Sequence, residues 1–183
     1  MKKTILSLFL VICVAGVAFA QQEMPKQQST YEKFLSNKGT MITKDFYEMP
    51  GLDSDYQKVE VKVVKLTFAK GSQFFYSLSI KAQYGDKSAV IAEEDLLEVS
   101  KALMTLIRQS QQESTTELEY RESYFETNDG FKIGYYQIGT QQTFFIDLNN
   151  YQSDDTVRFA DSRGLEIAVT QAIVKISELS KEK

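Results

Sequence analysis

Histidine and tryptophan are absent from this chain, and Cys13 is its single cysteine. Without an imidazole, Ser–His–Asp and Cys–His catalysis are excluded. Zinc, copper and haem sites lose their usual ligands as well. Paired carboxylates, a Ser–Lys pair or an oxygen-only metal site remain open. Glu119, Glu122 and Glu126, with Arg121 among them, lie on one stretch. Alternate acids on a strand readily fall within the separation of about 5–10 Å that glycan hydrolysis requires, but no fixed motif surrounds them. Asp53-Ser54-Asp55 and Asp154-Asp155 carry calcium-type oxygens without the full spacing of a calcium loop. They are expected to be solvated turns. Lys58, Lys62 and Lys65 form the densest basic group, interrupted by Glu60. That spacing suits a solvated strand face or a protected sheet edge better than a phosphate-binding surface. No catalytic residue, metal or cofactor is assigned.

Aromatic residues offer a different chemistry. Tyr120, Tyr124, Phe131, Tyr135, Tyr136, Phe144, Phe145 and Tyr151 crowd the second half. On a strand, Tyr135 and Tyr136 point to opposite faces, so at least one aromatic row lies away from a helix-covered core. Tyr120, Tyr124, Tyr135, Tyr136 and Phe145 are therefore the candidate binding residues, for a partner chain, a sugar ring or a base. Cross-strand packing is the competing explanation.

The elements that position these groups follow an N-terminal address: Lys2 and Lys3 precede an uncharged run from Ile5 to Phe19, which closes on Ala18-Phe19-Ala20. This is the pattern of a secretory signal peptide, recognised by signal peptidase at Ala18 and Ala20 and cleaved near Ala20-Gln21. The apolar run is short for a membrane span of about 20 residues, so no span is expected after cleavage. Cleavage removes two of the 21 basic residues and none of the 25 acidic ones, moving the formal charge from −4 to −6. It also removes Cys13, so the mature chain can form no disulfide. The predicted location is periplasmic or secreted.

Residues 21–28 are polar and Gln-rich, a flexible leader. Ser29-Thr30-Tyr31-Glu32 has capping-box spacing and opens a short helix over about 30–37, stopped by Lys38-Gly39. Strands are predicted at Met41–Glu48, Val59–Phe68, Phe74–Ile80 and Ala89–Ile91. Met49-Pro50-Gly51 with Asp53-Ser54-Asp55 reads as a loop, Lys70-Gly71 as a hairpin turn and Tyr84-Gly85-Asp86 as a further turn. A slip in alternation between Val63 and Val64 suggests a bulge. Leu96, Val99, Leu103, Leu106 and Ile107 form a helical stripe, followed by a polar linker from Gln109 to Glu117. Leu118–Thr127, Phe131–Ile138, Thr143–Leu148 and Thr156–Ala160 are strands, with Asn128-Asp129-Gly130 as a hairpin turn. Asp161 or Ser162 caps a last helix carrying Leu165, Ala168, Val169, Ala172, Ile173 and Ile176.

The order repeats. Gln73–Leu78 aligns with Thr143–Leu148, Ser88–Ala92 with Thr156–Ala160, and Leu96 with Leu165, at offsets of 68 to 70 residues. The predicted fold is α+β: two pseudo-repeats of antiparallel β-β-β-β-α, at about 40–109 and 117–180, within a single domain over 29–183. The repeats can pair their sheets or exchange their helices. This layout resembles the PUR-type and Whirly-type single-stranded nucleic-acid-binding proteins. The closest stretch is Phe144-Phe145-Ile146-Asp147-Leu148, a turn, Val157-Arg158-Phe159 and a helix. The resemblance implies binding on a basic, aromatic sheet face, whereas this mature chain is acidic and exported. The sequence also resembles small secreted proteins of the Gram-negative envelope. The expected function is a non-enzymatic binding or interaction module of the periplasm or cell surface, with a protein or envelope component as partner. A carboxylate-based hydrolase of an envelope or extracellular glycan and a single-stranded nucleic-acid binder are the alternatives.

Overall fold

The capping box forms as its spacing requires. The Ser29 hydroxyl accepts the Glu32 N–H at 3.1 Å, and the Glu32 carboxylate accepts the Ser29 N–H at 3.1 Å. The structure is a computed structural model that describes residues 29–36, 39–69, 71–82, 85–148 and 156–181. The signal segment, the leader, Lys38, Lys70, Tyr84, Tyr151 and Asp154-Asp155 lie outside them. The helix so capped is α1 (Thr30–Leu35). It is followed by β1 (Thr43–Asp53), β2 (Lys58–Phe68), β3 (Gly71–Ile80), β4 (Lys87–Ala92) and α2 (Glu93–Glu113). The same order returns as β5 (Leu118–Glu126), β6 (Lys132–Gly139), β7 (Gln141–Asp147), β8 (Thr156–Phe159) and α3 (Arg163–Lys181). Each set of four strands is an antiparallel sheet in sequence order. The protein is therefore α+β with two β-β-β-β-α repeats.

Strand register makes the repeat residue-specific. The β2–β3 pair Val64↔Phe75 returns 70 residues later as the β6–β7 pair Gly134↔Phe145. Extended to the first strand, Phe46↔Val64↔Phe75 corresponds to Tyr124↔Gly134↔Phe145. The next row, Glu48↔Lys62↔Ser77, corresponds to Glu126↔Lys132↔Asp147. Both of those rows carry an ion pair, Lys62–Glu48 at 3.1 Å and Lys132–Glu126 at 3.8 Å.

The largest core cluster takes side chains from both sheets and both long helices. Val61, Tyr76 and Ile91 meet Leu103, Tyr135, Ile146, Val169 and Ile176 in it. α2 packs on β3 and β4 and also on β5 and β6. α3 packs on α2 and crosses to β1 and β2, where the Lys175 ammonium lies 5.9 Å from the Tyr47 ring centroid. α3 starts at Asp161, whose carboxylate accepts the Arg163 N–H, and at Ser162, whose carbonyl accepts the Glu166 N–H. Among the described residues no helix is long and apolar enough to cross a membrane.

Three local expectations change. The slip at Val63–Val64 is not a bulge, since β2 pairs with β3 in unbroken register. Val59, Val61 and Val63 face the main core, while Val64 and Leu66 face the other side, buried with Phe75 and Ala92 against α1. Two covered faces, not a backbone irregularity, produce two apolar phases. The bulge of this sheet instead falls in β1 between Met49 and Leu52, so Met49-Pro50-Gly51 continues the strand and is not a loop. Finally, Gln109–Glu113 is the last turn of α2, not a linker. Its polar groups find partners on the second sheet: the Gln109 side chain reaches Ser123, and the Gln142 amide donates to the Ser110 main-chain carbonyl at 2.8 Å. Buried Gln137 donates to the Thr116 and Gly139 carbonyls and accepts from Gln142, which satisfies a polar group that burial would otherwise penalise.

Candidate functional site

Each sheet buries one face against the helices, and the fates of the two outer faces differ. On the first sheet α1 lies over the outer face, with Tyr31 edge-on to Phe75 at 5.1 Å between ring centroids and Phe34 at 6.0 Å. On the second sheet the corresponding outer face holds an open groove of about 330 Å³. It is lined by Tyr120 and Glu122 of β5, Lys132 and Tyr136 of β6, Phe145 and Asp147 of β7, and Thr156 and Arg158 of β8. All eight share one side because strand residues alternate faces.

The aromatic members form a continuous row. The Tyr120 and Tyr136 rings stack at 6.4 Å and 23°, and Tyr136 tilts onto Phe145 at 6.4 Å and 35°, spacings at which aromatic pairs attract. Tyr120 stands 58% exposed at one end, whereas Phe145, 5% exposed, forms the floor. Gly134 pairs with Phe145 beside that floor. A Cβ there would strike the Ser123 carbonyl oxygen and lie 2.6 Å from the Tyr124 Cβ, so the close approach of β5 to β6 requires glycine.

Polar groups of both signs border the row. The Tyr120 hydroxyl donates to Glu122 at 2.7 Å, and this hydrogen bond, followed by burial, raises the tyrosine pKa. The Lys132 ammonium lies 5.2 Å from the Tyr124 ring centroid, a cation–π contact, beside its ion pair with Glu126. Arg158 is exposed opposite Phe145 in the strand register, with no ion-pair partner among the described residues. Its backbone carbonyl accepts the Asp55 N–H at 3.1 Å, which ties β8 to the β1–β2 turn. Such a face can stack a ring, accept hydrogen bonds on carboxylates and donate them from a guanidinium.

Of the candidate residues, Tyr120, Tyr136 and Phe145 line the groove together. Tyr124 shares their face, 49% exposed beside Lys132. Tyr135 does not belong to the site. Its ring is fully buried in the core, and its hydroxyl donates to Glu113 at 2.7 Å. The alternation that brings Tyr136 out turns Tyr135 in. The same alternation divides the acidic stretch: Glu122 lines the groove, Glu126 pairs with Lys132, and Arg121 turns inward to pair with Glu113 at 2.7 Å. The lysine group separates too. Lys62 pairs with Glu48 on the outer face, while the Lys65 ammonium lies 5.7 Å from the inner Phe74 ring. β2 lies between β1 and β3, so these lysines protect no sheet edge. Asp53-Ser54-Asp55 closes the β1–β2 turn through hydrogen bonds between Ser54 and Gln57. Among the described residues no three acidic side chains cluster as metal ligands would.

Lys132, Asp147, Thr156 and Arg158 were absent from the candidates. Their signal was positional: each lies two residues from an outward residue on its own strand or opposite one on the next. Comparisons of the chain with protein-family models, with curated proteins and with solved structures find no match.

Proposed function

We propose that this chain is an exported, non-enzymatic binding module of the periplasm or cell surface, and that the outer face of the second sheet, which no described helix covers, holds its ligand. One observation carries this reading: the Tyr120–Tyr136–Phe145 row lines a groove that no described helix covers, whereas the equivalent face of the first sheet is closed by α1. A groove of about 330 Å³, with an apolar floor and a few convergent polar groups, has the character of small-ligand sites. Lys2, Lys3, the uncharged run and Ala18-Phe19-Ala20 support export. The exported protein, expected to begin at Gln21, can be titrated by calorimetry against oligosaccharides, peptides and single-stranded oligonucleotides. One of these classes should bind, and Tyr120→Ala and Tyr136→Ala should each weaken it by about tenfold, equivalent to about 1.4 kcal/mol. No binding in any class, or binding that both variants retain in full, would overturn the proposal.

A further inference from the structure

Resting on that reading of the face, we infer that the ligand is a short peptide with free ends, its ammonium at Glu122, its carboxylate at Arg158 and its apolar middle over Tyr136 and Phe145. The first repeat shows what such a face can take. There the occupant is a stretch of polypeptide, α1, six residues long. Its Tyr31 meets Phe75 edge-on, and the Lys44 ammonium lies 5.5 Å from the Tyr31 ring centroid. Strand register carries these positions to the second sheet. The row Lys44↔Leu66↔Gln73 corresponds to Glu122↔Tyr136↔Thr143. The pair Phe75↔Ala92 corresponds to Phe145↔Arg158. The second face thus keeps the aromatic floor. It is acidic on β5 where the first has a lysine that meets the occupant, and basic on β8 where the first has an alanine.

The charges between these two ends are compensated within the sheet. Lys132 stands between Glu126 and Asp147 in register and pairs with Glu126 at 3.8 Å, and Asp147 is itself engaged. Glu122 is exposed and takes a hydrogen bond from the neutral Tyr120 hydroxyl. Arg158 is exposed as well. Neither has an ion-pair partner among the described residues, so the groove carries a negative charge on β5 and a positive one on β8, with β6 and β7 between them. Three strand spacings across and two residues along set their Cα atoms about 16 Å apart. The two charges of a single amino acid are too close together to reach both. A peptide of three or four residues, at about 3.4 Å each, spans the gap once the two side chains lean inward. A phosphate-rich strand would find Arg158 alone among uncompensated cations, and a neutral sugar would use neither charge.

The test is calorimetric titration of the exported protein with the peptides Ala-Phe-Ala and Ala-Phe-Phe-Ala, each with free ends, with the amine acetylated and with the carboxylate amidated, beside neutral chito-oligosaccharides and oligothymidylate. At least one free-ended peptide should bind, and added salt should weaken it because both contacts at its ends are ionic. Acetylation and amidation should each weaken binding about fivefold, the scale of an exposed ion pair. The two groove variants should separate these effects. Glu122→Gln should remove the penalty of acetylation and keep that of amidation, and Arg158→Gln should do the reverse. Phe46→Ala, on the first sheet, should leave binding unchanged. Peptide binding that is indifferent to blocked ends, or penalties that neither variant moves, overturns the free-ended peptide and leaves the binding face standing. Binding only of saccharide or oligothymidylate, lost in Tyr136→Ala, does the same. Peptide binding that survives Tyr136→Ala in full, or no binding of any probe, overturns both.

Discussion

Glu113 shows how one side chain joins a helix end to a sheet. Its carboxylate accepts from the Tyr135 hydroxyl at 2.7 Å, pairs with Arg121 at 2.7 Å and accepts from the Gln109 amide at 3.2 Å. These contacts, the Tyr135 hydrogen bond foremost, hold its pKa below the ordinary 4.5. A carboxyl with a lowered folded pKa binds fewer protons folded than unfolded. Its contribution is therefore complete above the ordinary value and fades as pH falls through the lower folded one. Glu113→Gln should lower the urea midpoint at neutral pH, and the gap from the parent protein should close as the solution is acidified below 4.5. A gap of constant size across that range would show that shape, not charge, holds the helix end. None of this was legible in the sequence, because Gln109–Glu117 is polar throughout. Polarity there meant partners on the second sheet, which single-chain periodicity cannot place.

α1 has six residues, far below the length at which a helix is stable alone. Two things hold it: the capping box at Ser29, and the seating of Tyr31, Phe34 and Leu35 over Val64, Leu66, Phe75 and Ala92. The Thr30 N–H also donates to Asp129 of the β5–β6 turn at 2.9 Å, which fixes the helix start against the second repeat. Removing the cap hydroxyl by Ser29→Ala should cost about 1 kcal/mol. Faster amide exchange should appear in α1 and along the covered part of β2 and β3. Unchanged exchange there would show that the aromatic seat alone secures the helix. The cap was legible from Ser29 and Glu32 because its chemistry is local. The seat was not, since Val64 and Leu66 announce only that a second face is buried, not what buries it. For the same reason the aromatic row of the second sheet could be placed on a strand face, but its exposure depended on where α1 settled.

At the scale of the whole molecule the repeats are legible in strand order, and the alignment of Phe74-Phe75 with Phe144-Phe145 survives as identical placement: the first of each pair faces inward and the second outward. Helix exchange was one of two open arrangements, because an apolar stripe such as Leu165–Ile176 fits either sheet equally well. The structure sends α3 to β1 and β2 and spreads α2 over both sheets. Neither repeat then keeps a closed core of its own, for removing the second would uncover β1 and β2 as well as half of α2. Heat or urea should accordingly unfold the chain in a single transition. Ile176, 2% exposed within the shared cluster, tests this directly. Ile176→Ala should cost about 2–5 kcal/mol, and hydrogen exchange should accelerate together around Tyr76 in the first sheet and Tyr135 in the second. If the first sheet melted separately, with Tyr135 still protected, the two repeats would be independent bodies. The groove would then owe its rigidity to the second sheet alone. If they melt together, the helices that fill the shared core also stiffen the outer face of the second sheet.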